Sequence, residues 1–196
     1  MAIELPELLL KNAAQWRDWL VENHQSSRGV WLVHHKKGGQ VTEVTYDLAL
    51  NEALCFGWID GQVRRRDEQS FFQRWTPRGP KSSWSVRNTE IVARLEQEGR
   101  MFPAGLAAVQ AAKADGRWEM AYARQSDASL PEDLLAAISA NPEAQKMLQV
   151  LTAQNRFALY FRLSQLKTPI ARQRRIASFV EMLSRHETPY PQKAKP

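Results

Sequence analysis

Residues 56–88 read FGWIDGQVRRRDEQSFFQRWTPRGPKSSWSVRN, and this stretch decides what kind of fold the chain adopts. Two runs rich in aromatic residues and arginine, 58–66 and 69–76, are joined by an Asp-Glu pair, which is typical of a β-hairpin. A segment rich in proline and glycine, 77–80, then ends the second run. The stretch therefore predicts two antiparallel strands, followed by a loop that leads into a helix.

The sequence before this stretch adds a helix, a third strand and a second helix. Trp16, Trp19 and Leu20 recur at the i, i+3, i+4 spacing of one buried helix face. Residues 30–35 are β-rich and lie between glycines, which predicts a strand. Thr45 is placed to cap the helix that follows.

The sequence after the stretch is helical. Helix starts are predicted at prolines that fit the first turn of a helix, namely Pro103, Pro131, Pro142 and Pro169. The residues from Glu187 onward break the pattern and are predicted to be a frayed tail.

Together these elements indicate an α+β fold with a small three-stranded antiparallel sheet flanked by helices, followed by a helical C-terminal half. A short polar segment, 125–129, is the one plausible boundary. We therefore expect an α+β portion at 1–125, which carries the FGWIDG and TPR...SWSxxN motifs, and a helical portion at 126–196. At 196 residues the two portions are expected to pack as one compact body.

Composition and charge limit the classes of protein to which this chain can belong. The single cysteine, Cys55, excludes an intramolecular disulfide, and its apolar surroundings favour a small buried side chain over a nucleophile. The net charge is +6, and the segment from Arg162 onward carries an excess of that size by itself. The start of the chain is acidic where a secretory signal is basic, so we expect a bacterial-type cytoplasmic protein.

Several kinds of catalytic chemistry have no signature in the sequence. The glycine-rich phosphate loops, the Gly-x-Ser-x-Gly elbow and the His-Glu-x-x-His pair are missing. His34 and His35 are neighbours on a predicted strand, so their side chains point to opposite faces and do not readily share a metal. We expect neither a metal nor a cofactor. The question of catalysis stays open, and the sequence favours a non-catalytic protein.

Strand alternation predicts which side chains of the hairpin share a face. If the first strand starts at Trp58, one face carries Trp58, Asp60, Gln62, Arg64 and Arg66. An aspartate among arginines stays ionised and can hold a guanidinium by a bidentate hydrogen bond. Such a pair either orders a binding arginine or simply holds the hairpin together. Gly61 marks a close backbone approach or a β-bulge.

A second group of residues surrounds the predicted start of the next helix. Arg78 ends the rigid Thr-Pro-Arg segment that leaves the sheet. The ring of Trp84, the hydroxyl of Ser85 and the amide of Asn88 follow it, near the free backbone N–H groups of the helix start. Such a corner can bind an anion, and it can equally be a capped helix with Trp84 as a hydrophobic staple. The candidate binding residues are therefore Trp58, Asp60, Arg78, Trp84, Ser85 and Asn88, together with Lys36 and Lys37.

These motifs carry a resemblance to a known family. The strings EALCFGWIDG at 52–61, TPR at 76–78 and SWS-x-x-N at 83–88 resemble the YdeI/OmpD-associated family, which is also labelled bacteriocin-protection protein. The resemblance extends over about residues 16–183. Trp75 departs from the phenylalanine expected before Thr-Pro-Arg, but it keeps an aromatic ring at that position.

The resemblance implies a link to resistance against bacteriocins or cationic antimicrobial peptides and to an outer-membrane porin. It implies no catalytic mechanism and no cofactor. A basic chain is electrostatically a poor direct trap for cationic peptides, so an indirect stress-response role fits better.

Three hypotheses follow for the function. The first is a non-catalytic binding or stress-protection protein whose Asp60/Arg78 corner holds an anionic small molecule or a partner protein. The second is a nucleic-acid or acidic-surface binder that uses the basic residues of 64–81 and the last helix, although no nucleic-acid motif accompanies them. The third is an unrecognised enzyme acting on an anionic small molecule, with Asp60 as acid or base and Lys36 or Lys37 and Arg78 fixing the substrate.

Overall fold

The computed structural model describes residues 4–196, which form two compact units. The first unit ends at Glu119 and the second spans Met120–Pro196. Residues 1–3, part of the acidic start in which no targeting signal is recognised, lie outside the described residues. None of the helices within 4–196 is long and apolar enough to cross a membrane.

The first unit is α+β, with four strands and four helices among its described residues. They are β1 (Glu7–Leu8), α1 (Ala13–Asn23), β2 (Val30–His35), α2 (Tyr46–Cys55), β3 (Trp58–Arg65), β4 (Ser70–Pro77), α3 (Val86–Gln97) and α4 (Pro103–Ala114). The sheet has the order β1-β2-β4-β3. The β3–β4 hairpin and the antiparallel β2–β4 pair are as predicted.

The prediction of a three-stranded, wholly antiparallel sheet is wrong in one respect. A fourth strand, β1, pairs in parallel with β2, and the Pro6 carbonyl accepts a hydrogen bond of 2.9 Å from the Trp31 amide. Two residues are too few to show the period-2 pattern by which a strand is recognised. The predicted cap at Thr45 is confirmed, and Ser85 caps α3; each side chain accepts a hydrogen bond from a backbone N–H of the first helical turn.

A cluster of tryptophans joins the sheet to α1 and α2. Trp16 of α1 is fully buried, and its ring lies 6.2 Å from the rings of Trp58 and Trp75, centroid to centroid. The indole N–H of Trp16 donates to the Ala49 carbonyl of α2 at 3.2 Å. The face of the sheet that carries Trp75 is therefore covered by these two helices.

Cys55 lies at the end of α2, beside a buried ion-pair network. The Glu52 carboxylate, which is almost fully buried, accepts hydrogen bonds from Arg17 of α1 and from Arg100 after α3. Burial raises the pKa of the Cys55 thiol, so the group stays protonated at neutral pH. The sequence-based interpretation of Cys55 as a small buried side chain is confirmed.

Gly105 permits the close contact between α4 and the end of α2. A Cβ atom at this position would lie 2.7 Å from the carbonyl carbon of Cys55 and would overlap its oxygen. Phe102 reinforces the approach, because its amide donates to that same oxygen at 2.9 Å.

We therefore expect Gly105→Ala to destabilise the first unit by up to about 2 kcal/mol, since the overlap costs ~1–3 kcal/mol and the better helix propensity of alanine returns ~1 kcal/mol. Urea unfolding followed by tryptophan fluorescence measures the change. Gly79→Ala is the matched control, because a Cβ there would meet nothing nearer than the Ser82 hydroxyl at 3.8 Å. Equal stabilities for the two variants would contradict the prediction.

The second unit is helical, with α5 (Glu132–Ser139), α6 (Pro142–Val150), α7 (Ala153–Ser164) and α8 (Pro169–Ser184). Each of the four helices contributes buried residues to one apolar core, among them Leu134, Ile138, Met147, Leu159, Leu163, Phe179 and Leu183. The predicted helix starts at Pro142 and Pro169 are confirmed, whereas Pro131 is the cap of its helix and not the first helical residue.

The prediction of a frayed C-terminal tail is wrong for Tyr190 and Gln192. The Asn155 side chain, fully buried in α7, accepts from the Tyr190 amide at 2.9 Å and donates to the Gln192 side chain at 2.8 Å. Gln192 in turn donates to the Val150 carbonyl at 3.1 Å. Satisfying a buried asparagine fixes this part of the tail.

Candidate functional site

A concave site of about 600 Å³ lies where the β3–β4 hairpin extends past the start of α2. Its wall is almost entirely apolar, and two cationic side chains complete it. The lining residues are Lys36, Tyr46, Val63, Arg65, Phe71 and Gln73. Its volume, its apolar wall and its few charged groups match those of small-molecule sites in proteins, although the site is largely open to solvent. We call it the sheet site.

A β-bulge places Val63 in the sheet site. The register of the β3–β4 pair shifts between Asp60, which pairs with Trp75, and Val63, which pairs with Gln73. Both therefore lie on the helix-covered face, because Trp75 and Gln73 are two residues apart on one strand. The Gln73 amide donates to the Gly61 carbonyl at 2.8 Å and so satisfies a backbone group that the bulge leaves unpaired.

Because of the bulge, the side chains of the hairpin are distributed between the two faces of the sheet differently from the prediction. Arg64 pairs with Phe72 and lies on the face opposite Asp60, so the prediction that Asp60 and Arg64 share a face is wrong. Its guanidinium lies 4.7 Å from the ring centroid of Trp31 and 4.5 Å from that of Phe72. The alternative reading of Gly61 as a bulge position is confirmed.

Beneath the sheet site lies a buried histidine whose tautomer is determined by its neighbours. The indole N–H of Trp75 donates to His34 Nε2 at 3.3 Å, so His34 Nδ1 carries the proton and donates to the Val44 carbonyl at 3.1 Å. Burial lowers the pKa of His34 to about 4, and the charge of His35 acts in the same direction. The Phe71 ring, which lines the site, stacks on this neutral imidazole at 5.4 Å.

Tyr46 connects the sheet site to Asp60. Burial raises the pKa of Tyr46, and the charge of Asp60 and a hydrogen bond to it raise the pKa further. The phenol therefore stays protonated and donates to the carboxylate, so Tyr46 offers a neutral polar atom rather than a nucleophilic phenolate. Its ring lies 6.0 Å from the ring of Trp75, which holds it against the core.

The two cations of the sheet site are held loosely. Lys36 Nζ donates to the Asp67 carbonyl at 2.7 Å. Arg65 pairs with Glu68, but the two side chains are 71% and 84% exposed. An exposed ion pair of this kind contributes little free energy, so either cation can turn to an anionic ligand at small cost.

The structure separates the residues predicted as one binding site into three surroundings. Lys36 lines the sheet site, Asp60 adjoins it through Tyr46, and Lys37 is exposed outside the lining. Trp58 belongs to the core, where its indole N–H donates to the His24 carbonyl at 3.2 Å.

The remaining predicted residues gather at the start of α3. The Arg78 guanidinium lies 3.5 Å from the ring centroid of Trp84 and donates to the Ser83 carbonyl at 3.1 Å. The Ser85 hydroxyl caps α3 by accepting a hydrogen bond from the backbone N–H of Asn88, and the Asn88 residue is buried. An anion site at this corner stays a prediction.

Sequence reasoning missed five of the six lining residues: Tyr46, Val63, Arg65, Phe71 and Gln73. Val63 offered a usable signal, because an apolar residue next to three arginines on a hairpin is unexpected on a solvated face. Tyr46 offered none, because nothing local indicates that the first residue of a helix faces a strand.

Comparison with known proteins gives two family matches, one in each half of a chain whose first unit is α+β and whose second is helical. The chain belongs to the family defined by a domain of unknown function, DUF8412, whose family model matches residues 8–108, more than half of its length. Residues 127–186 match the family described as bacteriocin-protection, YdeI or OmpD-associated, which confirms the resemblance stated from the sequence.

The second match is narrower than the resemblance suggested. It lies within the helical unit, whereas the FGWIDG and Thr-Pro-Arg motifs lie within the DUF8412 match. No curated protein and no solved structure matches the chain.

Proposed function

We propose that the first unit is a non-catalytic binding module whose sheet site holds a small molecule with an apolar body and an anionic group. The observation that carries this proposal is the composition of the site: an apolar concavity of about 600 Å³ with Lys36 and Arg65 among its lining residues. Phe71 and Val63 suit the apolar body of a ligand, and the two cations suit a carboxylate or sulfonate.

The chemistry of the neighbouring groups favours binding over catalysis. Tyr46 is a neutral hydrogen-bond partner, and His34 is buried with both ring nitrogens engaged. A general acid or base must reach the reacting proton, so His34 is poorly placed for that role.

A small ligand also fits the charges better than a nucleic acid does. Arg64, Arg65 and Arg66 each pair with an acidic side chain, so the basic stretch of the hairpin has little net positive charge. Because polyanion affinity grows with the number of phosphates neutralised, a nearly neutral surface supports only weak nucleic-acid binding. The description of the family matched at residues 127–186 names bacteriocin protection, and we propose that sequestering a small anionic compound contributes to such protection indirectly.

The anionic aromatic dye 8-anilino-1-naphthalenesulfonate is a suitable probe for the sheet site. We expect saturable fluorescence enhancement, and we expect Lys36→Glu with Arg65→Glu to raise its Kd at least ~10-fold, because one charge-assisted hydrogen bond contributes ~1.5–3 kcal/mol. Lys37→Glu is the matched control for the reversal at Lys36, which should also raise the Kd by itself: it makes the same single charge reversal next to Lys36 but outside the lining.

A second variant tests the cavity rather than the charge. Val63 is 64% exposed, so Val63→Trp can fill the site without disturbing the core, and it should abolish dye binding. If neither the charge reversals nor Val63→Trp changes the Kd, the dye binds elsewhere and the proposal is wrong. Mass spectrometry of compounds that copurify with the wild-type protein then identifies the natural ligand class.

A further inference from the structure

The second unit contains a separate cleft lined mainly by aromatic rings. It encloses about 350 Å³, and its walls include Tyr122, Phe157, Phe161, Arg162 and Tyr190. Tyr122 and Phe161 meet edge to face, with ring centroids 4.8 Å apart, and the ring of Phe157 stacks 6.1 Å from that of Phe161. The rings line a space that suits one further planar group, because aromatic pairs prefer such edge-to-face or offset contacts.

Arg162 is the cationic residue of this cleft. It is half-buried, and within residues 4–196 no carboxylate lies within ion-pair distance of it. Two other arginines of the same unit are paired with carboxylates: Arg172 makes two hydrogen bonds to Asp133, at 2.7 and 2.9 Å, and Arg185 pairs with two glutamates. Its position in the last turn of α7 suits the helix dipole, but that interaction leaves its side-chain donors free for a ligand.

The C-terminal segment forms one wall of the cleft. Its Tyr190 ring lies 5.9 Å from the Arg162 guanidinium, and its backbone is held by Asn155 through hydrogen bonds of 2.9 and 3.1 Å. The wall is therefore fixed before any ligand arrives, which lowers the entropic cost of binding.

We propose that this cleft binds a small aromatic carboxylate, whose ring packs among Tyr122, Phe157 and Phe161 and whose carboxylate accepts hydrogen bonds from Arg162. A half-buried guanidinium without an anion is partly desolvated and uncompensated, and a planar carboxylate matches its donor geometry. A cationic ligand is disfavoured because Arg162 repels it, although aromatic walls alone would attract one.

Phenylacetate, its neutral isostere phenylacetamide and the cation phenethylamine test the proposal on the unaltered full-length protein. In ¹H–¹⁵N NMR titrations we expect phenylacetate to shift the amides of Tyr122, Arg162 and Tyr190. It should bind about tenfold more tightly than phenylacetamide, since one charge-assisted contact contributes ~1.4 kcal/mol or more, and phenethylamine should bind most weakly.

Arg162→Gln should remove the preference for phenylacetate, whereas Arg174→Gln, at an exposed arginine outside the cleft, should leave it unchanged. The charge reversals at Lys36 and Arg65 should also leave the preference for phenylacetate unchanged. The proposals for this cleft and for the sheet site can therefore be refuted independently. Equal affinities for the acid and the amide, tighter binding of the amine, or no shifts at the three amides would each overturn the proposal.

Discussion

Replacing Trp16 by alanine is expected to lower the free energy of unfolding of the first unit by about 3–5 kcal/mol, the usual cost of truncating a buried tryptophan. The Trp16 side chain is fully buried and lies within 6.2 Å of the rings of Trp58 and Trp75. Its indole N–H also satisfies the Ala49 carbonyl, which the substitution would leave without that donor. Because a stability of 5–15 kcal/mol is usual, such a loss takes much of the available margin.

The distribution of tryptophans makes the measurement specific to the first unit. All seven tryptophans precede Met120, so urea unfolding followed by tryptophan fluorescence reports this unit alone. Trp19→Ala is the matched control, because Trp19 stacks on Trp16 at 5.3 Å but is only half-buried. We expect a loss of about 1–2 kcal/mol for it. If the two variants lose equal stability, Trp16 is not the centre of the core.

The elements that the sequence predicted correctly are those with strong local signals. The hairpin, the cap at Thr45 and the helix starts at Pro142 and Pro169 each depend on a few neighbouring residues, so they can be predicted from the sequence directly. The predicted buried face of α1 is confirmed for Trp16 and Leu20, which recur at the helical period, whereas Trp19 is only half-buried.

The features that the sequence did not reveal depend on contacts between distant segments. The strand β1 is recognisable only by its pairing with β2, and the bulge at Gly61 reverses which side chains of β3 face the helices. The partner of Asp60 is Tyr46, in another element, and not an arginine of its own strand. A sheet site assembled from α2, the two strands β3 and β4 and the residue after β2 therefore could not be predicted from local patterns.

The tail illustrates the same limit in the second unit. Its three prolines and lack of periodicity indicate a frayed segment, and nothing local shows that Asn155 is buried with donors and acceptors to satisfy. The cost of leaving a buried amide unpaired, about 1–3 kcal/mol, is enough to hold Tyr190 and Gln192 in place.

The first unit is expected to lose about 2–3 kcal/mol of stability through His34 alone when the pH falls from 7.5 to 4.5. The folded protein holds the pKa of His34 at about 4, whereas the ordinary value in an unfolded chain is 6.5. As the pH falls below 6.5 the unfolded chain therefore binds a proton that the folded protein refuses, and unfolding is favoured. The contribution is fully present above pH 6.5 and is lost as the pH falls toward 4.

The structural cause lies in the two hydrogen bonds of the imidazole. Protonation would place a second N–H against the indole N–H of Trp75, 3.3 Å away, and would bury a charge beneath the sheet site. Two exposed carboxyls of the unit titrate lower: a hydrogen bond from Ser70 lowers the pKa of Asp67, and one from Arg94 lowers that of Glu98. The pKa values of these two groups in an unfolded chain, 3.8 and 4.5, place most of their loss of stability at or below the acid end of the window in which His34 acts.

His34→Gln isolates the effect, because glutamine can accept from Trp75 and donate to Val44 without titrating. Urea unfolding at pH 7.5 and 4.5 should show the wild type losing about 2–3 kcal/mol more than this variant. NMR titration of the His34 ring in the wild type gives an independent reading that does not depend on the variant folding. An apparent pKa near 6.5 for that ring would refute the prediction, since the imidazole would then be as easily protonated in the folded protein as in the unfolded chain.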